Sequence, residues 1–126
     1  MAKRPSKIKV GPHTYKIYYS KKKWARFYPK KKNKEGYGGV VGRFLLRASV
    51  ILVNGWEQSL SQQKDTLLHE ILHACFALTV FDNSPISFDG AEKSEIEEYA
   101  VLILTPTLLQ VLQDNPELVE WLTSSD

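Results

Sequence analysis

Cysteine is nearly absent from this sequence, which contains a single residue of this type, Cys75. One thiol cannot form an internal disulfide, so the chain does not fit the class of small secreted domains that disulfides hold together. Cys75 lies among apolar residues at helical spacing, which predicts a place in the core rather than a role as nucleophile or metal ligand. A reducing compartment fits this composition.

Long apolar runs are missing as well. The longest, Ala100 to Leu104, is far shorter than the ~20 residues with which a helix crosses a bilayer. The first ten residues carry charge without an apolar stretch, which predicts that they are not a secretory signal. A chain of 126 residues is long enough for one modest core. We therefore expect one cytoplasmic domain over residues 1–126, with a frayed tail at 124–126.

Acidic residues are absent before Glu35, although 13 of the 17 lysines and arginines lie there. Basic and aromatic residues alternate in this lead-in, residues 1–34. They include Lys16, Lys21, Lys22, Lys23, Arg26, Lys30, Lys31 and Lys32, and Tyr15, Tyr18, Tyr19, Trp24, Phe27 and Tyr28. This pattern is typical of contact with nucleic acid or another acidic partner. The alternative is that lysines protect edge strands while the aromatic rings pack inward.

Alternating apolar residues predict strands in the first half of the chain. Residues 8–10 and 15–19 alternate with polar neighbours around Gly11-Pro12, which indicates a hairpin with an exposed His13. Residues 40–53 are apolar and β-branched, and they are interrupted at Gly42 and at residues 47–49. They predict two strands or one bent strand. A small antiparallel sheet after a basic, β-rich lead-in is the expected arrangement.

The motif H-E-x-x-H at residues 69–73 is the most informative feature of the chain. A capping box predicts that its helix begins at Ser59 or Ser61, and the following turn residues predict an end near Asn83. One helical turn separates His69 from His73, so both imidazoles leave one face and can hold one ion.

Glu70 should project about 100° away from the histidines, beside the ion rather than on it. Zinc in such a site lowers the pKa of its water to about 7 and polarises a carbonyl group, while a carboxylate takes up the proton. The motif therefore predicts hydrolysis of a peptide bond by a water held at zinc, with Glu70 as the general base.

Two further helices should follow the motif helix. One should begin between Asp89 and Ser94 and extend through Leu104 until Pro106 breaks or kinks it. A short last helix should start at Pro116. Its buried side should be drawn from Leu118, Val119, Trp121 and Leu122.

Two histidines do not complete a catalytic zinc site, which takes three protein ligands and an open position. No histidine follows His73, so the third ligand should come from glutamates of the next predicted helix. These are Glu92, Glu95, Glu97 and Glu98. Helical spacing allows either Glu97 or Glu98 to face inward and does not choose between them. The remaining carboxylates would complement the helix dipole.

Three segments resemble a known group of proteins. TLLHEILHACF at 66–76, EEYAV at 97–101 and LQDNPELVEWL at 112–122 are similar to segments of small zinc metallopeptidase-like proteins of bacteriophages and prophages. That group is related to the SprT-like and ImmA/IrrE-type families. The resemblance covers roughly the last two thirds of the chain. If the chain is phage-encoded, its setting is the cytoplasm of a bacterial host.

The resemblance also implies a third ligand. In the phage group a glutamate is followed three residues later by valine, a pattern that falls on Glu98 and Val101. The residues Leu104-Thr105-Pro106 match the ImmA/IrrE-type pattern in part and would favour Glu95. The SprT-like branch often has a third histidine, which this sequence lacks. The implied site is zinc bound by the two motif histidines and Glu98.

We therefore expect an α+β minimal zincin, in which the small sheet packs on the motif helix and the next helix completes the zinc site. Val50–Asn54 is the strand expected to line the cleft and pair with a peptide substrate. Glu70 should act as base and then as acid to the leaving amine. Tyr37 and Tyr99 are candidates for the oxyanion donor, and Asp65 is a candidate for orienting the first histidine.

A second interpretation keeps zinc and removes catalysis. In this interpretation the zinc ion stabilises the fold of a small phage assembly protein or of a nucleic-acid-associated protein, and the basic lead-in suits that role. Glu70 argues against it, because a structural zinc site needs no base.

Overall fold

The computed structural model describes residues 2–27, 39–79 and 92–125. Within these ranges the elements are β1 (Lys7–Val10), β2 (His13–Tyr18), α1 (Lys21–Phe27), β3 (Gly42–Leu45), β4 (Val50–Val53), α2 (Leu60–Leu78), α3 (Lys93–Asp114) and α4 (Pro116–Leu122). The expected α+β class is confirmed, because one small sheet packs against helices on both faces. Among the described helices, none is both long and apolar enough to cross a membrane.

The sheet has the strand order β1-β2-β4-β3 and is mixed rather than antiparallel throughout. β1 and β2 form the hairpin predicted around Gly11-Pro12, and β3 and β4 form a second hairpin. The hairpins meet through a parallel pairing of β2 with β4, in which Ile17 lies opposite Ile51. The antiparallel prediction is wrong at this junction, because alternation and turn residues report local pairing and contain no signal for how two hairpins dock.

The basic lead-in is not β-rich throughout, since residues 21–27 form the helix α1. Trp24 anchors this helix: its side chain is fully buried, and its Nε1 donates a hydrogen bond to the carbonyl of Val53 at 3.1 Å. The hydroxyl of Ser20 accepts from the backbone N–H of Lys23 at 3.2 Å in the first turn. The first three residues of α1 are all lysine, so the sequence shows no clear helical period of apolar residues here. In the structure Trp24 and Phe27, three residues apart, define that period.

The two faces of the sheet pack against different helices. One face packs against α2, α3 and α4, and its buried residues include Tyr15, Ile17, Ile51, Val53, Leu67, Ile71, Val111, Leu118 and Trp121. The opposite face packs against α1, where Trp24, Val50 and Leu52 are buried and Tyr18, Phe27 and Leu45 are half-buried. The sheet is therefore the middle layer of three, with the motif helix on one side and α1 on the other.

One side chain closes the β1 edge of the sheet. Asn115, between α3 and α4, accepts a hydrogen bond from the backbone N–H of Lys9 at 2.8 Å and donates to the carbonyl of Lys9 at 2.7 Å. Its amide nitrogen also donates to the carbonyl of Val111 at 2.7 Å. Asn115 thus takes the place of a neighbouring strand at Lys9. An edge closed in this way is a poor template for pairing with another chain.

The motif helix begins where the capping box predicts, at the first of the two serines. The hydroxyl of Ser59 accepts from the backbone N–H of Gln62 at 3.2 Å, and the side chain of Gln62 accepts from the backbone N–H of Ser59 at 2.9 Å. The predicted end near Asn83 is wrong, because α2 ends at Leu78. The backbone of Thr79 is extended, and its hydroxyl donates to a carbonyl of the last turn at 3.0 Å.

Helix α3 begins within the predicted interval and continues through Pro106. Of the break or kink predicted there, the break is wrong and the kink stays a prediction. Pro106 removes one hydrogen bond, to the carbonyl of Leu102. Both residues are exposed, which leaves water able to bind that carbonyl. Helix α4 starts at Pro116 as predicted and buries Leu118 and Trp121.

Three single-residue predictions can be compared with the fold. Cys75 is fully buried on α2, as predicted, and burial raises the pKa of its thiol to about 11. His13 is exposed, as predicted, at the start of β2. Ser124 was assigned to a frayed tail, yet it accepts two hydrogen bonds from the ammonium group of Lys64, at 2.9 Å each.

Candidate metal centre

Helix α2 holds the motif residues at the surface of its layer. Leu67 and Ile71 are fully buried against the sheet and fix the rotation of the helix. His69 and His73 are both exposed, and their ring centroids lie 5.0 Å apart with the ring planes at 71°. The apolar side of α2 is therefore filled without the histidines, which leaves both imidazoles free to face a ligand.

The metal-binding atoms of His69, Glu70 and His73 converge on one point of the surface. One ligand atom from each residue lies within 4.8 Å of the other two. Among the described residues this is the one cluster of three or more such side chains. Imidazole nitrogens and carboxylate oxygens are donors that zinc takes in proteins. The three residues therefore fit a zinc ion held by the two imidazoles with the carboxylate beside it.

Glu70 differs from the histidines in burial. Only 6% of its surface is exposed, and it lies on the same side of α2 as the buried residues Thr66, Leu67 and Ala74. Burial raises the pKa of the Glu70 carboxyl above its usual value. The charges of the two histidines and of Arg43 act against that rise. A carboxyl in this environment takes up a proton more readily than an exposed one, as a general base must.

Strand β3 passes directly against Glu70, and a glycine makes this possible. A methyl group at Gly42 would lie 2.8 Å from Glu70 Oε2 and 2.5 Å from the methyl carbon of Thr66. Both separations are shorter than carbon makes with such atoms in van der Waals contact. Gly42 is therefore required by the close approach of β3 to α2, and the backbone of β3 forms one wall of the site.

A chain of side-chain amides fixes the start of α2 behind this wall. The amide of Gln58 donates to the hydroxyl of Thr66 at 3.0 Å, and that hydroxyl lies 3.2 Å from the amide oxygen of Gln58. Gln63 donates to the backbone carbonyl of Gln58 at 3.0 Å, and Arg4 donates to the side-chain oxygen of Gln63 at 2.9 Å. These bonds connect the first residues of the chain to Thr66, which contacts Gly42.

The predicted third ligand lies outside the convergent cluster. Helix α3 packs against α2, but Glu95, Glu97 and Glu98 are all exposed and none belongs to the group around the histidines. Glu95 and Glu98 line a pocket of about 440 Å³ together with Tyr99 and Leu102. The assignment of Glu98 as third ligand stays a prediction, with Glu95 and Glu97 as its alternatives.

No family model, curated protein or solved structure matches this chain. The chemistry of the site therefore has to be argued from its own residues. The groups that define the site are the two exposed imidazoles, the buried carboxyl of Glu70 and the backbone of β3 at Gly42.

The strand expected to pair with a substrate has no free edge. Val50–Asn54 contains β4, which lies between β2 and β3 and is hydrogen-bonded to both. That prediction is wrong, because it assumed that the strand that precedes α2 in the sequence lies at the edge of the sheet. The outer strand next to the site is β3, and within the described residues no further strand pairs with it.

Three other candidates were named from the sequence. Asp65 is exposed, and its role in orienting His69 stays a prediction. Tyr99 is half-buried beside Glu98 in the pocket on α3. Tyr37 lies outside the described residues.

Two residues of the site escaped the sequence analysis. Gly42 was taken as an interruption in a strand, although glycine inside an apolar strand also marks a close approach of another backbone or side chain. Arg43 gave no signal at all, because local pattern does not say which strand lies beside the motif helix. Its charge influences Glu70 only because β3 docks there.

Proposed function

We propose that this chain is a zinc-dependent peptidase with the architecture of a minimal zincin. The observation that supports it most directly is the convergence of His69, Glu70 and His73 at an exposed point, with one ligand atom of each within 4.8 Å. The site is accessible on the histidine side and closed by β3 on the Glu70 side. A substrate can therefore approach the imidazoles while the base stays shielded from bulk water.

In this proposal His69 and His73 hold the ion, and Glu98 of α3 supplies the third ligand. Zinc, when bound, supplies the Lewis acid that brings the pKa of water to about 7 and polarises the scissile carbonyl group. Glu70 accepts a proton from the attacking water and returns it to the nitrogen of the leaving amine. The raised pKa of the buried Glu70 carboxyl favours the first of these steps, since burial makes the charged form more costly there than in water.

The substrate is proposed to lie along β3. Backbone groups on the outer side of an edge strand can pair with an extended peptide, which sets the peptide's register by main-chain hydrogen bonds. β3 reaches Glu70 at Gly42, so a peptide paired with β3 would run past the histidines. This arrangement favours extended segments and unfolded proteins over compact folded ones.

The decisive experiment compares Glu70→Gln with the wild type after both are loaded with zinc. Cleavage of a mixture of quenched fluorescent peptides should fall roughly 100-fold or more in the variant, because the base is lost. Zinc content and far-UV circular dichroism should stay unchanged. Glu120→Gln, an exposed substitution on α4, is the matched control and should retain full activity.

Two outcomes would contradict the proposal in different ways. Wild type that binds zinc stoichiometrically but cleaves no peptide would favour the structural-zinc interpretation. Wild type that binds no zinc would remove both interpretations.

A further inference from the structure

The face of the sheet opposite the motif helix has a positively charged half that none of the described helices covers. Side chains alternate between the two faces of each strand, and Lys7, Lys9 and Lys16 point away from the layer that contains α2. All three are exposed. Helix α1 covers the neighbouring half, where Tyr18 packs on Phe27 with ring centroids 5.5 Å apart.

The basic residues of this face form one continuous surface. Lys7 lies directly opposite Lys16 in the β1–β2 pairing, and Lys9 lies opposite Thr14. Lys23 of α1 extends the surface, with its ammonium nitrogen 5.5 Å from the centre of the Tyr18 ring. We refer to Lys7, Lys9, Lys16 and Lys23 as the basic face. No strand position on this side of the sheet holds an acidic residue.

Protection of edge strands does not account for the basic face. Lysines on an outer strand discourage pairing with other sheets, but at Lys9 the β1 edge is already closed by Asn115. Lys16 lies on β2, which is paired on both sides and has no edge to protect. Two lysines directly opposite one another also destabilise a sheet, so their pairing costs stability in the free protein.

The structure also changes how the aromatic residues of the lead-in are interpreted. Tyr15, Tyr19 and Trp24 are buried, while Tyr18 stacks on Phe27. These rings pack inward, as the alternative interpretation of the lead-in expected, and are not available as platforms for bases. Contact with a partner would therefore depend on charge rather than on stacking.

We infer that the basic face binds the phosphate backbone of duplex nucleic acid. A duplex offers one negative charge per about 1.7 Å of axis, so cations at strand spacing each find a phosphate. Contacts to phosphates carry no information about base sequence, so we expect this binding to be independent of sequence. Because α2 packs on the other face, the bound duplex leaves the histidines accessible. The inference is independent of whether the motif site is catalytic.

Acidic residues limit the surface at its β1 side. Asp114 and Glu117 line a groove of about 320 Å³ together with Lys7 and Lys9. Their charges oppose phosphate binding at this rim. The centre of the interaction should therefore lie towards Lys16 and α1.

The test is fluorescence anisotropy of a labelled duplex of arbitrary sequence at several salt concentrations. Wild-type affinity should fall linearly on a log–log plot against salt, because each neutralised phosphate releases counterions. The variant K7Q/K9Q/K16Q/K23Q should bind at least about tenfold more weakly at low salt, with a slope smaller by about 3 to 4. K30Q/K31Q/K32Q/K34Q, which removes the same formal charge from residues that the structure does not describe, should lose less affinity.

Two further variants keep the test valid if the quadruple variant fails to fold. Lys16→Gln alone should weaken binding, and Glu117→Gln should strengthen it by removing a repulsive charge. No duplex binding at low salt, or an equal loss in both quadruple variants, would overturn the inference. Displacement of the duplex by polyglutamate at an equal concentration of negative charge would also overturn the inference, because it would indicate an acidic protein partner instead.

Discussion

Gly42 on strand β3 lies against the carboxylate of Glu70 on helix α2, so closely that a methyl group on Gly42 would come within 2.8 Å of Oε2. This contact joins the edge of the sheet to the proposed general base. It also contributes to the burial of Glu70, which lies on the side of α2 that packs against the sheet. The geometry of the site therefore depends on a residue without a side chain.

Replacing this glycine should disturb both stability and activity. Gly42→Ala forces β3 away from Thr66 and Glu70, and overpacking of this kind costs about 1–3 kcal/mol. A base displaced by a fraction of an ångström should lower kcat/KM by roughly tenfold or more. Thermal unfolding and peptide cleavage measure the two effects. Adding Thr66→Ser removes the nearer methyl carbon, so it should restore stability more than activity. A fully active Gly42→Ala would contradict the close approach.

Metal content should depend on two of the three histidines. His69→Ala and His73→Ala should each lose stoichiometric zinc, because the remaining ligands cannot hold it against water. Chelation should lower the Tm of the wild type by about 5 °C or more and leave both variants unchanged. Elemental analysis and thermal unfolding with and without chelator test this. His13→Ala, at an exposed position at the start of β2, is the control and should behave as the wild type.

The third ligand can be assigned by comparing three neighbouring glutamates. Glu98→Ala should weaken zinc binding more than Glu95→Ala or Glu97→Ala, because the resemblance to phage proteins assigns the ligand to Glu98. All three residues are exposed, so the substitutions should change folding little and serve as controls for one another. Competition against a zinc-binding dye gives the affinities. A larger loss from Glu95 or Glu97 would move the ligand to that residue.

The burial of Glu70 predicts a pH dependence of stability in the zinc-free protein. In the folded state the pKa of the Glu70 carboxyl lies above the usual 4.5. Below pH 4.5 this carboxyl is protonated in both the folded and the unfolded state, so its burial does not lower the stability. As the pH rises through the folded pKa, the unfolded chain releases its proton first and stability falls. Glu70→Gln cannot ionise. Its Tm should exceed that of the wild type by about 2–5 °C at pH 7 and by less at pH 4.

Chelator must be present in both samples of this comparison, since bound zinc would stabilise the carboxylate. Taking the difference between variant and wild type cancels the titration of all other groups. An equal difference at both pH values would show that Glu70 is not desolvated.

Closure of the β1 edge should be visible in stability and in solubility. Asn115→Ala removes two hydrogen bonds to the backbone of Lys9 and should cost about 1–2 kcal/mol. It also exposes strand groups that can pair with another chain, so aggregation on mild heating should increase. Asn115→Asp keeps the acceptor but puts a carboxylate oxygen against the carbonyls of Lys9 and Val111, so it should destabilise the fold at least as much as Asn115→Ala. Chemical denaturation and light scattering measure these effects.

The sequence predicted the parts of the fold that depend on local pattern. The hairpin at Gly11-Pro12, the capping box at Ser59 and the start of α4 at Pro116 all follow from side chains within a few residues of one another. The end of α2 could not be predicted from the downstream proline, because Thr79 stops the helix earlier. The helix is likewise not broken at Pro106, since an exposed helix tolerates one missing hydrogen bond.

The candidate site, like the fold, was predictable where it depends on local pattern and not where it depends on distant contacts. The spacing of His69 and His73 was sufficient to predict that their imidazoles share a face, and the structure brings them together. The burial of Glu70 was not predictable, because it depends on β3, a strand that reaches α2 only after two hairpins have docked. Strand order is a property of distant contacts, and neither periodicity nor turn residues report it.

The parallel pairing of β2 with β4 has a consequence for the order in which the chain folds. Each hairpin closes a short loop and can form quickly, whereas joining Lys16 to Val50 closes a long one and should limit the rate. The lysines of β1 and β2 already lie side by side in the first hairpin. The wall over Glu70 requires the second hairpin and α2 together. We therefore expect refolding chains to acquire affinity for polyanions before they can acquire zinc.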